Sequence, residues 1–172
     1  NFDGEHKQDQ SPVTQADYRV NEFITHALKQ TFPLIPLLSE EGDNSQRKQW
    51  QNFWLLDPLD GTKEFLHKRT EFTINLSLVE GANTTFALLA IPGEQSIYFC
   101  PKQGVPLKFE IQTRQWLHYV DDLPSKTVQV GLSQSSQNKP RYAEYLDILK
   151  QQVDIVEFRA GSAYKFCMML EG

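Results

Sequence analysis

The chain of 172 residues predicts a globular α/β protein. Three observations carry this: apolar positions at helical spacing in two segments, a run of short β-type segments through the middle, and a strand–helix–strand alternation toward the C-terminal end. A hydrophobic content of 40% with 12% aromatics is enough to bury a core, which argues against disorder.

The elements follow in order. Val20, Phe23, Ile24, Ala27 and Leu28 predict a helix from about Gln15 to Thr31, stopped by Pro33 and Pro36. Phe53 to Leu56 is an apolar, aromatic-rich run that reads as a buried strand ending at Asp57, and a helix is expected to begin near Thr62. Phe72 to Val79 and Thr85 to Ile91 read as strands joined by the hairpin-like Glu80-Gly81-Ala82-Asn83. Ser96 to Cys100 and Pro106 to Gln112 extend the β-rich middle. Thr127 to Leu132 is a strand, and Arg141 to Gln151 a helix with Tyr142, Tyr145, Leu146 and Leu149 on one side. Val153 to Arg159 is another strand, and Gly161 opens a further helix. His26, inside the first helical pattern, and His118, beside Trp116, have no partner at ligand spacing and are expected to be packed.

Composition narrows the function classes. The formal net charge is −5 and no face obviously gathers Lys and Arg, which argues against a partner that is a nucleic-acid polymer. No apolar run approaches the roughly twenty residues of a membrane span, and the polar stretch Asn1 to Gln10 has no secretory pattern. Cys100 and Cys167 are far apart in apolar or aromatic surroundings and are expected to be reduced thiols. The expected location is the cytoplasm, with peripheral attachment at the inner membrane face as a variant.

Chemistry concentrates in Trp54-Leu55-Leu56-Asp57-Pro58-Leu59-Asp60-Gly61-Thr62-Lys63-Glu64-Phe65, where an apolar strand runs into two carboxylates, a proline and a glycine. Pro58 favours the second position of a type I turn, with Asp57 first and Asp60 fourth, so both carboxylates would face one side. Gly61 would let backbone approach a ligand, and a helix starting at Thr62 would present its N–H groups there. Two close carboxylates repel unless a cation sits between them, and hard oxygen ligands suit Mg²⁺. The same residues are also ordinary turn formers, and a surface turn with two solvated acids stands as the competing reading. The two residues between Asp57 and Asp60 disfavour the phosphoaspartate mechanism of haloacid-dehalogenase phosphatases, whose signature acids are separated by one.

Two upstream segments and one downstream complete the pattern: Ser11-Pro12-Val13-Thr14-Gln15-Ala16-Asp17, Leu37-Leu38-Ser39-Glu40-Glu41-Gly42-Asp43, and Gly161-Ser162-Ala163-Tyr164-Lys165-Phe166-Cys167. With the Asp57 core, these four motifs in order resemble the inositol monophosphatase superfamily of Mg²⁺-dependent, Li⁺-sensitive phosphatases. Lys63-Glu64-Phe65 and the Gly161 segment resemble its 3'(2'),5'-bisphosphate nucleotidase branch. That branch removes the 3'-phosphate of 3'-phosphoadenosine 5'-phosphate, giving AMP and phosphate, and so clears a by-product of sulfate assimilation. The alternatives are an inositol monophosphatase or other sugar phosphatase of the same superfamily, and a metal- or phosphate-binding module without turnover.

The resemblance implies a layered α-β-α-β-α sandwich of the inositol monophosphatase and sugar phosphatase type, with residues 1–172 forming the N-terminal and central part of one phosphatase domain. It also implies roles. Glu40, Asp57 and Asp60 match metal-binding carboxylates, and Leu59 matches a position whose backbone carbonyl ligates metal. Asp17 and Thr62 match the catalytic pair in which Asp accepts the Thr hydroxyl proton while the Thr oxygen accepts from the attacking water. Glu40, Leu59, Asp60, Gly61, Thr62, Gly161, Ser162 and Lys165 match substrate-binding positions. Each has a plainer reading: Thr14 and Asp17 as a helix cap, Glu40 and Glu41 as a solvated turn, Ser162 and Lys165 as a helix start. Two departures stand out. Ser133-Gln134-Ser135-Ser136 replaces the branch's Ser-Arg-Ser-His, and the superfamily's Trp-Asp-x-Ala segment, which carries a further ligand, is absent through Gly172. The chain therefore reads as trimmed at both ends, and weak or no activity is expected of it alone.

Overall fold

The computed structural model describes residues 4–6, 12–118, 127–133, 140–161 and 163–171. Its elements are β1 (Gly4–His6), β2 (Pro12–Thr14), α1 (Gln15–Thr31), β3 (Leu37–Ser39), β4 (Asn52–Asp60), α2 (Thr62–Leu66), β5 (Thr73–Glu80), β6 (Asn83–Ile91), β7 (Ser96–Pro101), β8 (Leu107–Glu110), β9 (Gln115–His118), β10 (Thr127–Ser133), α3 (Pro140–Lys150), β11 (Asp154–Ala160) and α4 (Tyr164–Glu171).

Seven strands form one sheet in the order β3-β4-β5-β6-β7-β8-β9. From β4 to β9 it is an antiparallel meander, the arrangement that short connections such as Gly81-Ala82 favour, and only β3 joins parallel to its neighbour. The parallel pair β10–β11 stands apart, its strands joined through α3 as a parallel pairing requires. Helix α1 packs on β4, α4 packs on β10 and β11, and α3 packs on β11. The other side of α4 meets the large sheet, where Cys167 closes a core with Ile91 and Tyr98 that Leu89, Tyr164 and Leu170 border. Helix, sheet, helix, strand pair and helix thus follow one another in contact, as the layered sandwich requires.

Along β4 the side chains alternate. Trp54 and Leu56 are buried, whereas Leu55 is 43% exposed on the face that also carries Asp57. The Trp54 face continues as an aromatic row: Phe32 lies tilted against Trp54, Trp54 meets Phe86 edge-on, and Phe86 leads through Phe99 to Trp116 and Phe109. Both cysteines are free thiols, and burial pushes Cys167 up to about 12, so it acts as a small apolar core group. His26 and His118 are exposed rather than packed: His26 lies on the outer side of α1 and β9 is an exposed edge strand. Among the described residues no helix is long and apolar enough to cross a membrane.

Candidate active site

The Asp57 segment does not form the expected turn. Strand β4 runs unbroken through Pro58 to Asp60, with a shift of register against β5 between Asp57 and Asp60. A bulge explains the difference, because it leaves residues out of the hydrogen-bond ladder and so tolerates a proline that has no N–H to donate. Asp57 Oδ1 braces the bulge by accepting the Leu59 N–H at 3.2 Å, and Pro58 and Leu59 are buried. The outcome anticipated for the turn, two carboxylates gathered at one end of a strand, is reached by a different backbone route.

Gly61 follows the bulge with φ +91° and ψ 39° and starts α2. This left-handed conformation suits glycine, and a Cβ would lie 3.2 Å from Glu71 O and 3.3 Å from Phe72 Cα. The corner that turns β4 into α2 is therefore built by close backbone approach. Thr62 Oγ1 donates to Leu59 O at 3.2 Å, which leaves its oxygen as an acceptor toward an incoming group.

Glu40 is brought in by β3. Its N–H donates to Leu56 O at 3.1 Å, extending the β3–β4 pairing by one residue, and Ser39 Oγ donates to Asn21 Oδ1 at 2.6 Å, fixing the strand end to α1. Asn44 Nδ2 donates to Ser39 O at 2.7 Å and holds the following turn. Asp57 feels both neighbouring acids. Burial first, then the charges of Glu40 and Asp60 and a hydrogen bond shared with Glu40, raise its carboxyl from 3.8 to about 7, against the opposing Leu59 N–H.

Asp57 is thus within electrostatic reach of both Glu40 and Asp60, and Glu40 and Asp57 line a cavity of about 470 Å³ that runs over Leu55, Ser77, Ala87 and Leu89. Among the described residues no three His, Cys, Asp or Glu side chains are drawn close enough to grip one ion. The donors are nevertheless of the right kind. All are hard oxygens, and burial with the neighbouring charges of Glu40 and Asp60 disfavours a further negative charge on Asp57, which a cation there would offset.

Asp17 is buried and completes a capping box: its Oδ2 accepts the Thr14 N–H at 2.8 Å and the Thr14 hydroxyl at 2.7 Å, while Thr14 Oγ1 accepts the Ala16 N–H. The Thr62-to-Asp17 hydrogen bond that the resemblance implies is not made here: the Thr62 hydroxyl donates to Leu59 O, and Asp17 Oδ2 is engaged by the Thr14 cap, which is local and closes first. Helix α2 packs on β2, which ends at Thr14, so the starts of α1 and α2 are neighbours.

The segment Gly161–Lys165 arrives from the far end of the chain. Asp60 Oδ2 accepts the Ala163 N–H at 2.7 Å, and Glu71 Oε2 accepts the Gly161 N–H at 3.1 Å. Lys165 lies with Nζ 5.3 Å from the Phe166 ring centroid, and Ser162 falls outside the described residues. Sequence reading missed Glu71, whose partner is ninety residues away. It also missed Asn75, which lies opposite Asp57 on β5, lines the same cavity and has a buried Oδ1 without a hydrogen-bond partner. A polar residue between Ile74 and Leu76 was the available signal for Asn75.

Comparison with known proteins gives the chain's relatives and its fold. The model of the inositol monophosphatase family matches residues 1–172. The chain is 35% identical over 168 residues to the 3'(2'),5'-bisphosphate nucleotidase CysQ of Salmonella typhimurium, covering 96% of this chain and 65% of that protein. The crystal structure of CysQ from Bacteroides thetaiotaomicron superposes with a TM-score of 0.78 at 30% identity, over 96% of this chain and 66% of that one. A staphylococcal IMPase-I complexed with products shares the fold at 16% identity, with a TM-score of 0.75 over 99% of this chain and 62% of its own. The chain thus spans about 65% of the length of such curated relatives.

Proposed function

Because the chain belongs to the inositol monophosphatase family, we propose that it forms the metal- and phosphate-binding part of a 3'(2'),5'-bisphosphate nucleotidase that hydrolyses the 3'-phosphate of 3'-phosphoadenosine 5'-phosphate to AMP and phosphate. The observation that carries the reading is the acid cluster of Glu40, Asp57 and Asp60 beside the Gly61 corner, in a chain 35% identical to a relative bearing that name.

Glu40, Asp57, Asp60 and the Leu59 carbonyl would hold Mg²⁺. When bound, the ion supplies a bound water of lowered pKa and offsets charge on the phosphoryl and leaving oxygens. The protein's own contribution is positional. The left-handed Gly61 turns β4 into α2 and so sets Thr62 at the helix start, where Thr62, its proton engaged by Leu59 O, offers an oxygen that accepts from a water. Asp17 is the proposed base of the pair. Its carboxylate takes the Thr14 hydroxyl proton in a hydrogen bond here, and the relay requires it to take the Thr62 hydroxyl instead. Gly161, Ser162 and Lys165 would face the nucleotide, and the substrate is the small-molecule partner.

Parallel phosphate-release assays with 3'-phosphoadenosine 5'-phosphate, inositol 1-phosphate and fructose 1,6-bisphosphate, each with and without Mg²⁺, test the reading in the full native protein. Preferred Mg²⁺-dependent release from the bisphosphate nucleotide is expected. Preference for either sugar phosphate would move the protein to a sister activity, and no release from any would leave a binding module.

A further inference from the structure

We propose that Glu71, which no sequence motif singles out, is a positioning residue that sets the Gly161–Lys165 segment against the Gly61 corner; its effect on substrate rests on the nucleotidase reading above. Glu71 lies between α2 and β5 and engages both glycine sites at once. Its carbonyl oxygen is wedged between them, 3.2 Å from where a Gly61 Cβ would stand and 2.5 Å from where a Gly161 Cβ would stand. Its side-chain Oε2 accepts the Gly161 N–H at 3.1 Å. The main chain of one residue therefore spaces the two segments while its carboxylate binds them together.

A second acceptor works in parallel. Asp60 Oδ2 takes the Ala163 N–H, so the two amides flanking Ser162 are each held by a carboxylate from the β4–β5 region. Asp60 is a candidate metal ligand, so its grip on Ala163 is shared with another task. Glu71 is not among the candidate metal ligands, so its grip on Gly161 can be tested without altering them. The close approach also accounts for glycine at 161: Gly161 is buried, and any side chain would collide with Glu71 O before α4 could dock. A hydrogen bond to a charged acceptor is strong enough that its loss should free the segment on the order of ten-fold.

The test compares Glu71→Ala, Glu71→Asp and Glu71→Gln in the full native protein. Amide exchange at Gly161 reads the clamp without substrate, and KM against kcat for 3'-phosphoadenosine 5'-phosphate reads its consequence. Glu71→Ala is expected to speed Gly161 exchange and raise KM, each roughly ten-fold, with kcat within about two-fold. Glu71→Gln, which keeps an acceptor of the same reach, is expected to stay near wild type. Should Glu71→Ala not fold, Glu71→Asp, which keeps the charge but is one methylene too short, carries the same expectation. Unchanged Gly161 exchange in the Ala or Asp variant would overturn the proposal, as would a Gln variant as impaired as they are, or a fall in kcat at constant KM. If the wild type releases no phosphate from the nucleotide, the nucleotidase reading fails and the exchange rates alone decide the role of Glu71.

Discussion

Asp60 Oδ2 accepts the main-chain N–H of Ala163 at 2.7 Å across 103 residues of chain. One carboxylate thus belongs to two structures, the acid cluster with Glu40 and Asp57 and the docking of α4's leading segment.

Asp60→Asn and Asp60→Ala should separate these roles. The asparagine keeps an acceptor for Ala163 and loses the charge, so Mg²⁺ affinity measured by calorimetry should fall while the melting temperature stays near wild type. The alanine loses both, and the lost charge-assisted bond should cost about 1.5–3 kcal/mol by denaturant unfolding. Equal stability of the two variants would show that the Ala163 bond holds nothing.

Stability in chelator should fall as pH rises between 3.8 and about 7, the interval set by Asp57. The sign follows from linkage: its folded-state carboxyl keeps a proton that the unfolded chain has already released, so raising the pH favours unfolding. Asp57→Asn should flatten that interval. Added Mg²⁺ should stabilise the wild type more above the interval than below it, because ionised acids bind the ion, reaching about 2.7 kcal/mol at a hundredfold excess over Kd. Thermal melts across pH, with and without Mg²⁺, check the prediction.

Gly61→Ala places a Cβ in a left-handed residue and within 3.2 Å of Glu71 O. We expect a loss of roughly 1–3 kcal/mol, larger than for an exposed glycine such as Gly81, which has φ +62° and open space around it. Chemical denaturation of both variants measures the difference. Equal losses would mean that backbone conformation, not the Glu71 contact, sets the cost.

Leu56 is 1% exposed at the centre of β4. Leu56→Ala should cost about 2–5 kcal/mol, against little for Leu55→Ala one residue earlier, whose side chain is 43% exposed. The alternation of strand faces is tested by that contrast in urea midpoints.

Local chemistry was readable wherever cause and consequence lie close in sequence. Helix α1 has the bounds its apolar spacing and Thr14–Asp17 cap predict, Gln15 to Thr31, and the β5 to β8 meander follows its alternating segments within a residue or two. The short strand β3 is not legible as a strand and the segment around Trp116 reads equally as strand or turn, because three or four residues acquire strand character only from a neighbour: Leu38 opposite Leu55, Phe109 opposite Trp116. The exposure of His26 and Phe23 on α1 was equally illegible. Helical spacing says which residues share a face, not whether another element covers it.

By itself the sequence determined which groups can do chemistry: hard oxygen donors at Glu40, Asp57 and Asp60, a glycine corner at Gly61, and a family pattern spanning residues 1–172. Tertiary structure alone decided how they meet, with a bulge in place of a turn at Pro58 and with Glu71 and Asp60 receiving Gly161 and Ala163. The reason is physical. Residue type and short-range spacing set local dihedral preference and charge, whereas contacts between segments ninety or more residues apart form only where packing of the whole fold outweighs the entropy of bringing them together.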